Sequence, residues 1–182
     1  MNLEEASARL AKLAGRPVRP FATTDFGREK NLAARSVIVT EVDAPRIVDE
    51  LRREIGPGLI AFVGCTRSLA NPPANGCEIV IAIGEDQFDT LRVAQSDAAN
   101  YDMATEDLVR KLQTYNSKYG IDIFHAETDT IEFRLRSVPM DLPAFCKDLY
   151  EFCPDIVDQG VGTVEALEKE VAKSGKVYLW WD

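Results

Sequence analysis

The stretch 151–163 holds the polar side chains best placed for a functional site. Asp155 follows Pro154, which lacks a backbone N–H and therefore ends the preceding helix. Asp158 and Gln159 come next, and the apolar residues between the two aspartates could anchor the segment to a core. Polar side chains on a loop held in place in this way suit binding. The alternative interpretation is structural, because Asp in turns commonly accepts hydrogen bonds from nearby N–H groups.

Carboxylates in this stretch and elsewhere could serve a metal-assisted hydrolase. Oxygen ligands of this kind are the ones that Mg²⁺ and Mn²⁺ prefer. The candidate ligands are Asp97, Asp102, Asp155, Asp158 and Asp182. Such a site requires the acids to converge in the folded chain, since carboxylate-rich loops are otherwise solvated surface.

Two other places carry residue types that do chemistry. The loop 64–68 combines a glycine with Thr, Arg and Ser, which could hold an anion through N–H groups and a guanidinium. It lacks both the cysteine-to-arginine spacing of a phosphatase loop and the lysine of a P-loop, so an exposed turn is the favoured interpretation. His125 is the one histidine, and no motif places a Cys or Ser beside it. We interpret His125 as structural and predict no catalytic residue.

The cysteines do not predict a metal site. Cys65, Cys77, Cys146 and Cys153 include no C-x-x-C pair, and a zinc site needs four N or S ligands at characteristic spacing. Cys146 and Cys153 are one heptad apart, a separation of about 10 Å along a helix that is too long for a disulfide. We expect buried thiols in a reducing cytosol, and neither a metal nor another cofactor.

Charge limits the partners that the protein can have. The chain has 182 residues, is 46% hydrophobic and 28% charged, and carries a formal net charge of -9. Such an acidic chain is repelled by phosphate backbones and anionic lipid, so we expect no nucleic-acid and no membrane binding. A protein with a basic surface would be attracted. Neither a signal sequence nor an apolar run of membrane-spanning length is present, which favours a cytoplasmic protein.

The beginning of the chain predicts a short helix followed by an arm. Asn2 and Glu5 have the spacing of a capping box, and Gly15 with Pro17 ends the helix. We therefore divide the chain into a helix and arm over residues 1–30 and a single α+β domain over residues 31–182. The apolar stripe of the helix favours docking on the main body over contact with a partner.

The rest of the chain alternates between strand and helix patterns. Helices are predicted from about residue 44, from Thr105, after Asp141 and after Thr163, each with a capping or proline signal. The predicted strands are 36–42, 59–63, 77–83, 88–94, 121–126, 130–136 and 177–181. This pattern predicts a mixed sheet of about six or seven strands covered by helices.

The last strand carries large apolar groups on both faces. Val177, Leu179 and Trp181 share one face, and Tyr178 and Trp180 share the other. Strands covered on both sides have this composition. We therefore expect the C-terminal strand to lie inside the sheet.

A family resemblance is carried by the segments 88–93, 97–102, 119–123, 153–167 and 178–182, of which the last two are the most specific. Through these segments, over about residues 88–182, the chain resembles the family of domains of unknown function DUF4253. The resemblance implies a bacterial protein, and it implies no catalytic residues because the family has no assigned activity.

Three classes of function follow from these observations. The first is a protein-binding protein, for example an immunity protein that neutralises a toxin, whose partner has a basic surface. The second is the metal-assisted hydrolase, and the third is a small-ligand sensor with Trp180 and Tyr101 lining a pocket. The predicted binding residues are Asp97, Asn100, Tyr101, Asp155, Asp158, Gln159 and Trp180. The oligomeric state is left open.

Overall fold

The computed structural model describes residues 1–22, 30–64 and 76–182, and its elements alternate between strands and helices. The strands are β1 (Arg19–Ala22), β2 (Lys30–Val39), β3 (Leu59–Val63), β4 (Cys77–Ile83), β5 (Ile121–Ala126), β6 (Thr130–Leu135) and β7 (Lys176–Trp180). The α-helices are α1 (Leu3–Ala14), α2 (Ala44–Glu54), α3 (Asp89–Ala94), α4 (Thr105–Tyr119), α5 (Leu142–Phe152) and α6 (Val164–Ser174). A 3₁₀ turn (Ala99–Tyr101) and a π-helix (Ile156–Val161) complete the set for the described residues.

The described strands form one seven-stranded sheet with the order β1-β2-β4-β3-β5-β6-β7. β2 and β4, β3 and β4, and β6 and β7 pair antiparallel. β3 and β5 pair in parallel, with Val63 opposite His125. The sheet is therefore mixed, which confirms the predicted α+β class.

The position predicted for the last strand is wrong. β7 stands at the end of the strand order and pairs with β6. Val177 and Leu179 on one face are buried, whereas 51% of Tyr178 on the other face is exposed. The prediction took the aromatic residues on both faces as evidence that both faces are covered. In β7 the face that carries Tyr178 is open to solvent.

The described chain divides into two compact units, of which the first comprises Met1–Gln95 and Phe124–Thr128. Ala6 and Leu10 of α1 are fully buried in a core cluster that also contains residues of α2, β2, β3 and β4. The prediction that the first helix docks is therefore confirmed. The predicted domain boundary at residue 30 stays a prediction.

A buried carboxylate lies in the sheet of this unit. Glu78 in β4 is 1% exposed. Its Oε1 accepts hydrogen bonds from the Ser36 hydroxyl at 2.6 Å and from Arg19 Nη2 at 2.7 Å. Its Oε2 has no hydrogen-bond partner among the residues that the structure describes. The pair with Arg19 is therefore the main compensation for the buried charge.

The second unit comprises Ser96–Ile123 and Asp129–Asp182 and has an aromatic core. Tyr115 of α4 packs edge-on against Phe145 and Phe152 of α5, with ring centroids 5.5 and 6.2 Å away. The Phe152 and Trp181 rings also pack edge-on, with centroids 5.3 Å apart. Aromatic pairs in these geometries add to the stabilisation from burial alone. This core fixes the end of α5, where the site begins.

Most helix starts agree with the sequence, and one predicted strand is wrong. The side chains of Asn2, Asp141 and Thr163 cap their helices as predicted. The segment 88–94 forms α3 instead of a strand. Its start is stabilised by the Asp89 carboxylate, which accepts the Glu85 N–H at 2.7 Å. Local hydrogen bonds of this kind outweigh the β propensity of a short segment.

Candidate functional site

The stretch 151–163 forms a break between two helices. α5 ends at Phe152, and the π-helix follows directly after Asp155. The N–H of Gly162 closes the π-helix on the Val157 carbonyl at 2.8 Å. Gly162 has a φ of 86°, which glycine adopts at little cost. π-Helices are rare and frequently occur at functional sites, so the sequence signals did locate an unusual segment.

Asp155 is the centre of a hydrogen-bonded cluster. It is 5% exposed, and its Oδ2 accepts the backbone N–H of Asp182 at 2.9 Å. Its Oδ1 accepts the Gln159 side-chain amide at 2.9 Å. The Tyr101 hydroxyl also donates to this carboxylate. We call Asp155, Tyr101, Gln159 and the Asp182 N–H the Asp155 cluster.

The hydrogen bonds of the Asp155 cluster keep its carboxylate ionised. Burial alone would raise the pKa of Asp155, but the bonds from Asp182, Gln159 and Tyr101 outweigh it and hold the pKa below its ordinary value. The same carboxylate raises the pKa of Tyr101 to about 12, chiefly through the hydrogen bond that the phenol donates. At neutral pH the pair is a charged acceptor and a neutral donor, an arrangement suited to holding two segments together.

A second set of contacts joins the end of α5 to β7. The Cys153 thiol donates to the Trp180 carbonyl at 3.0 Å, and the Trp181 indole N–H donates to the Phe152 carbonyl at 3.2 Å. Burial raises the pKa of Cys153 to about 12, so this thiol stays protonated at neutral pH. Cys77, Cys146 and Cys153 are all thiols, as predicted, whereas Cys65 lies outside the described residues.

The predicted site residues separate into groups. Tyr101, Asp155 and Gln159 meet in the Asp155 cluster. Asp158 is exposed and accepts a hydrogen bond from the Tyr150 hydroxyl at 2.9 Å.

The other three predicted residues have different surroundings. Asn100 is exposed on the 3₁₀ turn, one position before Tyr101, and Asp97 is half-buried just ahead of that turn. Trp180 lines a groove beside β7.

A groove lies beside β7 in this unit. It has a volume of about 390 Å³. Its walls are β7 with the neighbouring part of β6 on one side, and α6 with the π-helix on the other. We define the β7 groove by its lining residues, which are Glu132, Ile156, Gly160, Val161, Leu167, Glu170, Val171, Ser174, Lys176, Val177, Tyr178 and Trp180.

The β7 groove combines an apolar lining with a few charges. Leu167, Val171 and Val177 are buried, whereas 38% of Val161 and 51% of Tyr178 are exposed. Glu132 lies on the sheet wall and Glu170 on the helix wall. Sequence reasoning identified Trp180 but missed the other lining residues, although the apolar stripe of α6 and the alternation in β7 were visible.

The remaining chemical candidates have different outcomes. Among the described residues, no three His, Cys, Asp or Glu side chains are grouped to hold a metal ion. The convergence that a hydrolase would need is therefore not seen in that part of the chain. Apart from Gly64, the loop 64–68 lies outside the described residues. His125 is buried, with its Nε2 2.9 Å from Glu127 Oε1, and its structural role stays a prediction.

Fold and site together define an α+β protein with an acid-bearing apolar groove at the edge of its sheet. The chain belongs to the family described as a domain of unknown function (DUF4253), whose match covers residues 78–182, more than half of the chain. This confirms the resemblance found in the sequence, and the match begins earlier, inside β4. No curated protein and no solved structure matches the chain. In the described ranges, no helix is both long and apolar enough to cross a membrane.

Proposed function

We propose that this chain is a bacterial cytoplasmic protein that binds another protein, and that the β7 groove is its recognition surface. An immunity protein that neutralises a toxin is one example of this class. The observation that carries the proposal is the pairing of exposed apolar side chains with a carboxylate on each wall of one groove. Interfaces combine these features, with an apolar centre and a polar rim.

The net charge supports a partner with a basic surface. A formal charge of -9 on 182 residues produces a negative potential that accelerates association with a positive protein. The same potential disfavours nucleic acid, whose phosphates carry the same sign. Specific contacts are still needed for affinity, because long-range attraction mainly sets the association rate.

The apolar lining supports a specific contact. A few buried anchors supply most of the binding energy at a typical interface, and aromatic residues are enriched among them. Tyr178 and Trp180 lie in the groove with part of their surface open to solvent. A partner side chain placed between the walls would cover both rings and the exposed part of Val161.

A small-ligand sensor is the second candidate, because Trp180 lines a groove whose 390 Å³ falls within the usual range for ligand pockets. Tyr101, the other aromatic residue expected in such a pocket, belongs to the Asp155 cluster and is not among the lining residues. We place this candidate second because the groove lies at a sheet edge and carries an exposed tyrosine.

The test is affinity capture from bacterial lysate at low salt, followed by measurement with the purified partner. The groove variant is Glu132→Gln/Glu170→Gln. The control is Glu41→Gln/Glu85→Gln, which removes two exposed charges in the first unit and so changes net charge equally. We expect a basic partner whose association slows as salt rises and which binds the groove variant more weakly than the control.

Three results would overturn the proposal. One is a partner that binds the groove variant and the control equally. Another is association that does not depend on salt. The third is failure to capture any protein at low salt, together with tight binding of a small metabolite that shifts the melting temperature.

A further inference from the structure

We propose that the β7 groove binds a lysine or arginine side chain of the partner together with the large apolar side chain next to it. This inference rests on the proposed function, and it specifies the chemistry of the recognised segment. The occupant is an irregular or extended segment of a protein that presents a basic residue beside a residue such as leucine or phenylalanine.

The groove is of the size that holds single side chains. Its volume of about 390 Å³ lies toward the lower end of the range for ligand pockets. We therefore assign to it one large apolar side chain and the stem of a neighbouring basic residue.

The charges of the groove select a cation. Two carboxylates, Glu132 and Glu170, line it, and Lys176 is the cation in the lining, so the acids exceed the base by one. Glu132 is on β6 and Glu170 is on α6. A guanidinium can use several N–H groups on carboxylates at once, which makes arginine the better fit, and a lysine would act as a point charge.

The apolar stem of the basic residue also has a place to pack. Lys and Arg lay their methylene groups along apolar surface while the charged end stays near water. Val161 and Tyr178, at 38% and 51% exposed, supply such a surface within the groove. Trp180 belongs to the same lining, and a guanidinium can stack on an aromatic ring.

Both walls are held in place before any partner arrives. The Asp155 cluster ties the start of the π-helix to the Asp182 N–H, just beyond β7. The bond from Cys153 to the Trp180 carbonyl holds the strand at the same end. A preformed groove loses less conformational entropy on binding than one that must be assembled.

The test is an NMR titration of the ¹⁵N-labelled full chain with the blocked peptide acetyl-Gly-Arg-Leu-Gly-amide. Three matched peptides replace Arg with Gln, Arg with Glu, or Leu with Ala. We expect shifts at the amides of Gly160, Val161 and Tyr178. Affinity should be about tenfold lower when either Arg or Leu is replaced, which corresponds to about 1.4 kcal/mol.

Variants separate the charge from the fold. Glu132→Gln/Glu170→Gln should weaken the Arg-Leu peptide about tenfold and leave the Gln-Leu peptide unchanged, since only the first contains a cation. The control Glu41→Gln/Glu85→Gln should change neither. The inference is overturned if the Arg and Glu peptides bind equally, if the shifts fall outside the groove, or if none of the peptides binds.

The result also distinguishes this inference from the proposed function. If a partner is captured through the groove but the peptides bind equally well with and without Arg, the inference is overturned and the proposed function is not. Loss of groove-dependent capture overturns both. Replacing Leu without effect overturns the apolar half of the inference and therefore the inference as stated.

Discussion

The carboxylate of Asp155 accepts the backbone N–H of Asp182 at 2.9 Å, across 27 positions in the sequence. This bond joins the residue before the π-helix to the residue that follows Trp181. The β7 groove lies between the same two segments, so its shape depends on a contact outside its own lining. Asp155 is therefore a positioning residue for the proposed binding surface.

We expect Asp155→Asn to lower the free energy of unfolding by about 1 to 3 kcal/mol at neutral pH, since charged hydrogen bonds are lost from a buried site. The folded pKa of Asp155 lies below its ordinary value, so its stabilisation is complete above the unfolded pKa near 4 and is lost as pH falls through the folded pKa. The difference in the free energy of unfolding between Asp155→Asn and wild type should therefore become smaller in acid. Urea unfolding over a pH series measures this difference.

Asp158→Asn is the matched control for this prediction. Asp158 is exposed and accepts a hydrogen bond from the Tyr150 hydroxyl. The amide oxygen of an asparagine can accept the same hydrogen bond. We expect no measurable loss of stability. A loss as large as that of Asp155→Asn would contradict the assignment of the structural role to Asp155.

We expect Cys146 and Cys153 to resist alkylation in the native protein. Burial raises the pKa of these thiols to about 11 and about 12, so little thiolate exists at neutral pH. Iodoacetamide labelling followed by peptide mass spectrometry assigns the modification to each cysteine separately. Labelling should become fast only in denaturant, and rapid native labelling of Cys153 would show that its bond to Trp180 is not maintained.

We expect Arg19→Met to destabilise the fold by about 3 kcal/mol, because it leaves the charge of Glu78 buried and unpaired. This is the lower end of the range for buried pairs, since the Arg19 side chain is 37% exposed and partly solvated. Thermal or urea unfolding provides the measurement. In the Glu78→Gln background, Arg19→Met should lower the free energy of unfolding clearly less. An equal loss in both backgrounds would mean that the pair with Arg19 does not compensate the buried charge of Glu78.

We expect Gly76→Ala to be destabilising by about 1 to 3 kcal/mol from backbone strain alone. Gly76 has a φ of 120°, and a Cβ there would lie 2.0 Å from the Val39 carbonyl oxygen. Gly56→Ala is the control, because no atom lies within 4 Å of a Cβ at that position. Equal melting temperatures for the two variants would show that the backbone around Gly76 can move away from the Val39 carbonyl, which would contradict the prediction.

The local signals in the sequence predicted local structure well. The capping side chains of Asn2, Asp141 and Thr163 act within three residues, so their effect can be read without knowing the fold. β3 has the predicted bounds for a similar reason, since a short apolar run between turn signals has few alternatives. The family resemblance likewise depends on contiguous segments.

Structural features that depend on residues far apart in the chain could not be predicted from the sequence. Tyr101 and Asp155 are 54 positions apart by their numbering, and no pattern in the sequence states that the phenol reaches the carboxylate. The edge position of β7 is set by strand order, which side-chain alternation does not encode. The Phe88 segment became α3 because Asp86 and Asp89 stabilise a turn at its start.

The start of the family match has a consequence for how the protein folds. Residue 78 lies inside β4, and both sheet neighbours of that strand, β2 and β3, precede it in the chain. A fragment 78–182 would expose both hydrogen-bonding edges of a strand whose residues 78–82 are all buried in the intact protein. Unpaired apolar strands template aggregation. The boundary of the family therefore marks where sequence likeness begins and not where an autonomous folding unit begins.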